Sequence, residues 1–181
     1  IIAAAEASLK RLNTSYIDIY LLHRFDPHTP LEETLSALAD LVSQGKVRYI
    51  GASNFAAWQM AKAQGLSAQH GWPSIKCIQP MYNLVKRQAE VEILPFAEHE
   101  NIGVISFNPL GGGLLTGKYA GDDAQGRLID DDRYKSRYNV PWMHEAAAAL
   151  PALAAKHGTN AATLAVAWVM KNKDIYAPII S

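Results

Sequence analysis

The chain has 181 residues, 49% of them hydrophobic, which is enough for one ordinary domain with a substantial core. Its 17 basic and 17 acidic residues cancel, which argues against nucleic acid or an anionic membrane as a partner. No apolar run nears the roughly 20 residues that span a bilayer. The single cysteine, Cys77, has no internal disulfide partner and no Cys/His cluster has zinc spacing, so the expectation is a reducing, cytoplasmic setting without a bound metal. The chain opens in helix-like sequence at Ile1 and stops at Ser181 after a strand-like run, so a fragment of a longer protein is expected.

Residues 1–12 (IIAAAEASLKRL) are rich in helix formers, with Ile1, Ala5, Leu9 and Leu12 on one face. Residues 16–22 (YIDIYLL) are a short apolar run suited to a strand buried on both faces, and it ends in His23 and Arg24. The next helix has a candidate cap in Thr29, Pro30 at its first position and Glu32 placed for a capping box. Leu31, Leu35, Leu38, Leu41 and Val42 form its apolar stripe, and Gly45 supplies a left-handed stop. Residues 47–52 (VRYIGA) form a second strand ending in Ser53 and Asn54, then a helix covers about 56–68. Residues 75–78 (IKCI) form a third strand ending in Gln79, and 86–99 reads as helical with a break or restart at Pro95. Residues 104–107 form a fourth strand ending in Phe107.

Residues 109–141 then lack periodicity and read as a long loop of functional character. Two Ala-rich helical segments follow, 143–157 with an interruption at Pro151 and 160–171, and residues 175–180 form a fifth strand. The strand-end residues His23, Ser53, Gln79 and Phe107 recur every 26 to 30 residues. Such βα repetition points to an α/β fold, a partial (β/α)8 TIM barrel with five of eight strands present. A doubly wound open sheet is the alternative that the same alternation allows.

The strand ends carry groups suited to a polar, partly aromatic ligand. His23 donates or accepts near neutral pH, Ser53 offers a hydroxyl, Asn54 and Gln79 offer amides, and Phe107 a flat face. Each also has a plainer reading: Ser53 or Asn54 as a helix cap, His23 as a satisfied turn histidine, Phe107 as core. The stretch 108–119 (NPLGGGLLTGKY) is the sharper signal. Its glycines admit a ligand close to the backbone, and exposed amides with Lys118 suit a phosphate or pyrophosphate. Gly112, Gly117 and Lys118 nearly match a P-loop, but Tyr119 stands where the magnesium-binding Ser/Thr would be. The acidic residues Asp122, Asp123 and 130–132 lack ordered spacing and read as a solvated loop rather than a cation site.

Four motifs in order, YIDIYLLHRFDP, TPLEETLSALADLVSQGKVRYIGASNF, QPMYNL and GVISFNPLGGGLLTGKY, together resemble the aldo-keto reductase family. The resemblance covers essentially the whole chain, roughly the third helix to the eighth strand of the barrel. It implies NADPH as cofactor and a small-molecule aldehyde or ketone as substrate. It matches His23 to the histidine that orients the substrate carbonyl, and Ser53, Asn54 and Gln79 to the grip on the nicotinamide carboxamide. Phe107 matches the aromatic stacked on the nicotinamide. Asn108, Pro109, Leu110, Gly111, Gly112 and Lys118 match the pyrophosphate loop, and Arg127 a cofactor-contacting arginine beyond it. The family's catalytic Asp, Tyr and Lys have no match, since that part of the pattern precedes Ile1, and Tyr82 and Lys86 do not fill the gap. The chain alone is therefore expected to be inactive. The alternative function is a cofactor-binding regulatory subunit, against which the retained His23 argues.

Overall fold

The computed structural model describes residues 1–119 and 125–180, so Asp122 and Asp123 lie outside the described residues. The chain divides into two compact units, the first made of Ile1–Pro80 and Glu92–Val104, the second of Met81–Val91 and the chain from Ile105 onward.

The first unit runs α1 (Ile2–Leu12), β1 (Ile17–Leu22), α2 (Leu31–Ser43), β2 (Val47–Ser53), α3 (Ala57–His70), β3 (Ile75–Gln79), α4 (Ile93–His99) and the start of β4 (Gly103–Phe107). Its ladders β1–β2, β2–β3 and β3–β4 are all parallel, with Ile19 opposite Tyr49, Ser53 opposite Gln79 and Ile78 opposite Val104. Leu31, Leu35, Leu38 and Leu41 of α2 are buried as their spacing predicts, each worth about 1.5–3 kcal/mol of apolar burial. Gly45 (φ 69°) ends the helix, and the Lys46 N–H returns to the Leu41 carbonyl at 3.0 Å.

Four expectations are corrected here. Thr29 does not cap α2: its hydroxyl donates to Asp26 at 2.7 Å, and Pro30 takes the cap position, its carbonyl accepting from the Glu33 and Thr34 amides. The helix expected over 86–99 forms only as α4, after a 3-10 turn at Gln88–Glu90, and Pro95 lies at this restart, in the first turn, where an N–H would have no intrahelical partner. The expected stripe of α1 buries Ala5 alone, and β1 is not covered on both faces. Ile19 and its register partner Tyr49 are 43% and 56% exposed.

The second unit holds the end of β4 and β5 (Ala177–Ile179), parallel to it with Phe107 opposite Ile179. Pro178 sits in β5, where an edge strand tolerates the missing donor. Between them lie a 3-10 turn (Gly111–Thr116), α5 (Arg127–Asp130), α6 (Asp132–Arg137), α7 (Pro141–Lys156) and α8 (Ala161–Met170). The stretch read as an unstructured loop thus contains two short helices, which its composition hides because neither is long enough to show a period. They stand on a core of Val85, Leu114, Leu115, Leu128, Tyr138, Met143, Ala147 and Leu150. Helix α7 runs through Pro151 unbroken, and the proline ring abuts the turn at Gly117. Tyr82 stacks on Trp168 of α8 at 5.3 Å and donates to Glu90 at 2.6 Å, while Arg87 grips the same carboxylate, fixing residues 81–91 in this unit.

Consecutive strands pair in parallel in the order β1-β2-β3-β4-β5, with no reversal of strand order. A doubly wound sheet would show such a reversal. The fold is α/β, a partial (β/α)8 barrel. Among the described residues no helix is long and apolar enough to cross a membrane.

The β2–β3 register shifts by one residue between Ile50 and Gly51, and this brings the Cys77 carbonyl close to Gly51. A Cβ on Gly51 would lie 2.7 Å from that oxygen and would also overlap Leu21 Cδ2. Gly51→Ala is expected to cost about 1–3 kcal/mol, read as a fall in denaturant midpoint. A midpoint unchanged from the unsubstituted protein would refute this account of the glycine.

Candidate functional site

In the first unit, Ser53 Oγ donates to the Gln79 carbonyl at 2.9 Å, and the Asn54 amide nitrogen donates to Ser53 Oγ at 3.1 Å and to the His23 carbonyl at 2.9 Å. The ends of β1, β2 and β3 are thereby laced together by two side chains. Asn54 has φ 56°, a left-handed conformation that asparagine tolerates, and it turns the chain out of β2. Neither Ser53 nor Asn54 caps α3. Ala56 holds that position, and the Gln59 side chain accepts from its N–H at 2.9 Å.

The lacing leaves a defined set of groups uncommitted. The Ser53 hydroxyl proton is used, whereas Asn54 Oδ1, the Gln79 side-chain amide and the His23 imidazole make no hydrogen bond among the described residues. His23 is exposed. The turn after it is fixed by Asp26, which accepts from the His28 amide at 3.0 Å and from Thr29. These bonds, Thr29 first, hold the Asp26 carboxyl below the usual carboxylate range. Phe25 packs edge-on against Phe55 at 5.4 Å and seats the turn.

In the second unit, Phe107 ends β4 half-buried, its carbonyl accepting from the Tyr82 N–H at 3.2 Å. Asn108 follows with φ 64°, a second left-handed asparagine at a strand end. Its Oδ1 accepts from the Gly112 N–H at 2.7 Å, its Nδ2 donates to the Tyr138 hydroxyl at 2.7 Å, and its carbonyl accepts from Asn83 Nδ2 at 2.9 Å. Gly111, Gly112 and Gly113 all take positive φ (60°, 68° and 93°), which explains three glycines in a row.

The three glycines do not present free amides, as the sequence suggested they would. The N–H groups of Gly111 and Gly112 go to Asn108, and that of Gly113 goes to Leu110. A cavity of about 330 Å³ opens beside it, lined by Asn108, Pro109, Leu110, Gly112, Gly113, Thr116, Lys118, Arg127, Ile179 and Ile180. Among the described residues that line it, Lys118 and Arg127 are the charged ones and none is a carboxylate, a lining whose electrostatics favour an anion. A Cβ at Gly113 would lie 2.7 Å from Lys118 Cε, so glycine there makes room for the lysine stem to lie along the turn.

Three tyrosines brace this turn. The Tyr119 hydroxyl donates to the Gly112 carbonyl at 3.2 Å and accepts from the Leu128 N–H at 3.3 Å, tying the turn to the helix that starts with Arg127. Tyr134 packs on Gly112, where an added Cβ would lie 2.7 Å from its Cδ1, and the Arg127 guanidinium lies 5.6 Å above its ring. Tyr138 is fully buried, its hydroxyl accepting from Asn83 at 3.1 Å as well as from Asn108. Burial pushes its phenol up to about 12.

A comparison with known proteins gives the lineage of this arrangement. The sequence profile of the aldo/keto reductase family matches residues 1–181. The chain belongs to that family. Aldo-keto reductase AMT2 of Alternaria alternata is 37% identical, over 97% of this chain and 47% of its own length. Uncharacterized oxidoreductase YrpG of Bacillus subtilis (strain 168) is 38% identical over 97% of this chain and 52% of its length. Aflatoxin B1 aldehyde reductase member 2 of Mus musculus is 37% identical over 94% and 50%. The chain spans about half the length of these curated relatives.

Within the aldo/keto reductase chain, sequence reasoning missed Asn83 and the bracing role of Tyr119, Tyr134 and Tyr138. Asn83 lies inside the QPMYNL motif, so its position was visible and its partner was not. The tyrosines fall in a stretch without periodicity, and only the return of α6 onto the glycine turn gives them a common target.

The buried phenol predicts a pH dependence. Its folded-state value of about 12 lies above the ordinary value of 10.0, so its contribution to stability is complete below pH 10. That contribution is lost as pH rises from about 10 to about 12. Denaturant titrations across that window should show stability falling less steeply for Tyr138→Phe than for the unsubstituted protein. Equal slopes would show that Tyr138 does not titrate this way.

Proposed function

We propose that the protein carrying this chain is an NAD(P)H-dependent reductase of aldehyde or ketone carbonyls, acting in the cytoplasm on a small-molecule substrate, with NADPH as cofactor. The observation that carries this reading is the cavity beside the glycine turn, where Lys118 and Arg127 meet with no acidic side chain among the described lining residues. Its volume and charge suit a diphosphate: two cations 9 residues apart in sequence face one opening, and the left-handed glycines keep side chains out of it. Family membership supports the reaction class, and the name of the mouse relative includes an aldehyde reductase activity.

The roles follow from which atoms are uncommitted. Lys118 and Arg127 neutralise the diphosphate. Asn54 Oδ1 and the Gln79 amide, having no partners among the described residues, hold the nicotinamide carboxamide by accepting from its amine and donating to its oxygen. Ser53 fixes Asn54 rather than reaching a ligand with its proton, which the Gln79 carbonyl already holds. Phe107 supplies a half-buried aromatic face for stacking. When bound, the nicotinamide supplies the hydride that reduces the carbonyl carbon. His23, exposed with an uncommitted imidazole, donates a hydrogen bond to the substrate carbonyl oxygen and orients it. An exposed, unpartnered histidine in this position also favours an enzyme over a cofactor-binding regulatory subunit.

Two measurements test the two halves of this reading. Fluorescence titration of the full protein with NADPH should give about tenfold weaker binding for Lys118→Ala and for Arg127→Ala, the loss expected for one charge-assisted contact. Unaltered affinity in both variants would remove the cavity from the cofactor site. His23→Ala should lower kcat by about a hundredfold or more, while the Kd for NADPH stays within about twofold. Normal turnover in that variant would end the assignment of His23.

A further inference from the structure

We infer that Tyr138 is a positioning residue for cofactor binding, acting through Asn108 to hold the glycine turn in its ligand-ready shape. The inference rests on the assignment of the turn and its cavity to the cofactor diphosphate.

The argument starts from the two ends of one side-chain amide. Asn108 Oδ1 accepts from the Gly112 N–H, and Asn108 Nδ2 donates to the Tyr138 hydroxyl, both at 2.7 Å. An amide side chain can rotate about its last bond and exchange its oxygen and nitrogen. The exchanged orientation would set an NH2 group against the Gly112 N–H and an oxygen against the phenol. The Gly112 N–H, which can only donate, selects the observed orientation, and the Asn108 amide nitrogen so turned away needs an acceptor, which the Tyr138 oxygen supplies and holds in place. The Tyr138 oxygen accepts from Asn83 Nδ2 and Asn108 Nδ2, and its proton points to the Met81 sulfur at 3.7 Å. Both acceptor positions of the hydroxyl are thus filled by amide donors, and its proton is directed at the thioether.

The consequence runs outward along the chain. With Asn108 Oδ1 aimed at Gly112, the turn closes by four residues, and Gly112 keeps its left-handed backbone against Tyr134. Asn108 and Gly112 both line the cavity that holds Lys118 and Arg127. Tyr138 itself is fully buried and does not line that cavity. Its hydroxyl influences a ligand there only by fixing the atoms between them. Asn83 reinforces the same knot from the other side, donating to both the Asn108 carbonyl and the phenol. The phenol stays neutral at every physiological pH, because burial holds it at about 12, so the acceptor and donor pattern is constant.

A buried tyrosine could also be only a packing element, and the control for that is Tyr82. It is equally buried in the same unit, and its hydroxyl is likewise engaged on both sides, by Glu90 and Asn172. It belongs to a cluster that does not line the cavity.

The experiment compares Tyr138→Phe, Tyr82→Phe and the unsubstituted full protein by thermal melting and by fluorescence titration with NADPH. Both variants should melt at lower temperature. Tyr138→Phe should bind NADPH about tenfold more weakly, whereas Tyr82→Phe should bind within about twofold of the unsubstituted protein. In a double-mutant cycle, Tyr138→Phe combined with Asn108→Ala should weaken binding by clearly less than the two single losses together, because the phenol acts mainly through the Asn108 side chain. Unchanged affinity in Tyr138→Phe, equal losses in both tyrosine variants, or additive losses in the cycle would each overturn the inference. Should Tyr138→Phe fail to fold, Asn108→Ala carries the test, and an unchanged Kd there overturns it. Failure of the parent reading is separable: the unsubstituted protein would then not bind NADPH at all, and this inference would fall with it. Intact binding that weakens on Lys118→Ala but not on Tyr138→Phe would overturn the positioning role alone.

Discussion

Two asparagines in left-handed backbone conformation, Asn54 after β2 and Asn108 after β4, redirect the chain as it leaves its strands. Each does so with a side-chain amide that bonds neighbouring atoms, and this is what makes the unusual φ sustainable without glycine. Asn54 spends its two N–H groups on the His23 carbonyl and Ser53. Asn108 spends its oxygen on Gly112 and its nitrogen on Tyr138. In both units the candidate ligand-binding groups are those next to the asparagine. The atoms left uncommitted by these bonds define what the candidate groups of each unit can do.

The glycine turn illustrates how one motif can serve a different physical purpose from the one its composition suggests. A run of three glycines after a strand suggests amides pointing at a phosphate. Here the amides of Gly111, Gly112 and Gly113 are consumed by Asn108 and Leu110. The glycines serve backbone geometry and space instead: each has positive φ, Gly112 makes way for Tyr134, and Gly113 for the stem of Lys118. The positive charge facing the cavity comes from side chains. Any anion attracted to this cavity would meet two full charges rather than a nest of glycine dipoles, with the turn as their wall.

Strands and the helix stripe of α2 were legible because apolar spacing records burial directly. Leu31, Leu35, Leu38 and Leu41 recur at helical period and are buried on one face. Proline and cap signals were less reliable, since they depend on which neighbour captures a hydroxyl or where a turn begins. Thr29 lost its capping role to Asp26 and Pro151 is accommodated inside α7, whereas Pro95 does lie at the restart, in the first turn of α4. The one-sided exposure of Ile19 and Tyr49 was hidden because a strand's apolar run states that burial is favourable and not what provides it.

The sequence by itself determined the βα alternation, the strand-end positions of His23, Ser53, Gln79 and Phe107, the glycine run, and the resemblance that the family match established. These are local or periodic properties, and a linear pattern can carry them. Only the tertiary structure decided that Asn83, Asn108 and Tyr138, up to 55 residues apart, share one hydroxyl, and that Lys118 and Arg127 open onto one cavity. The reason is physical: hydrogen bonds and charge pairs form by distance in space, and sequence spacing encodes that distance only within a helix or a strand.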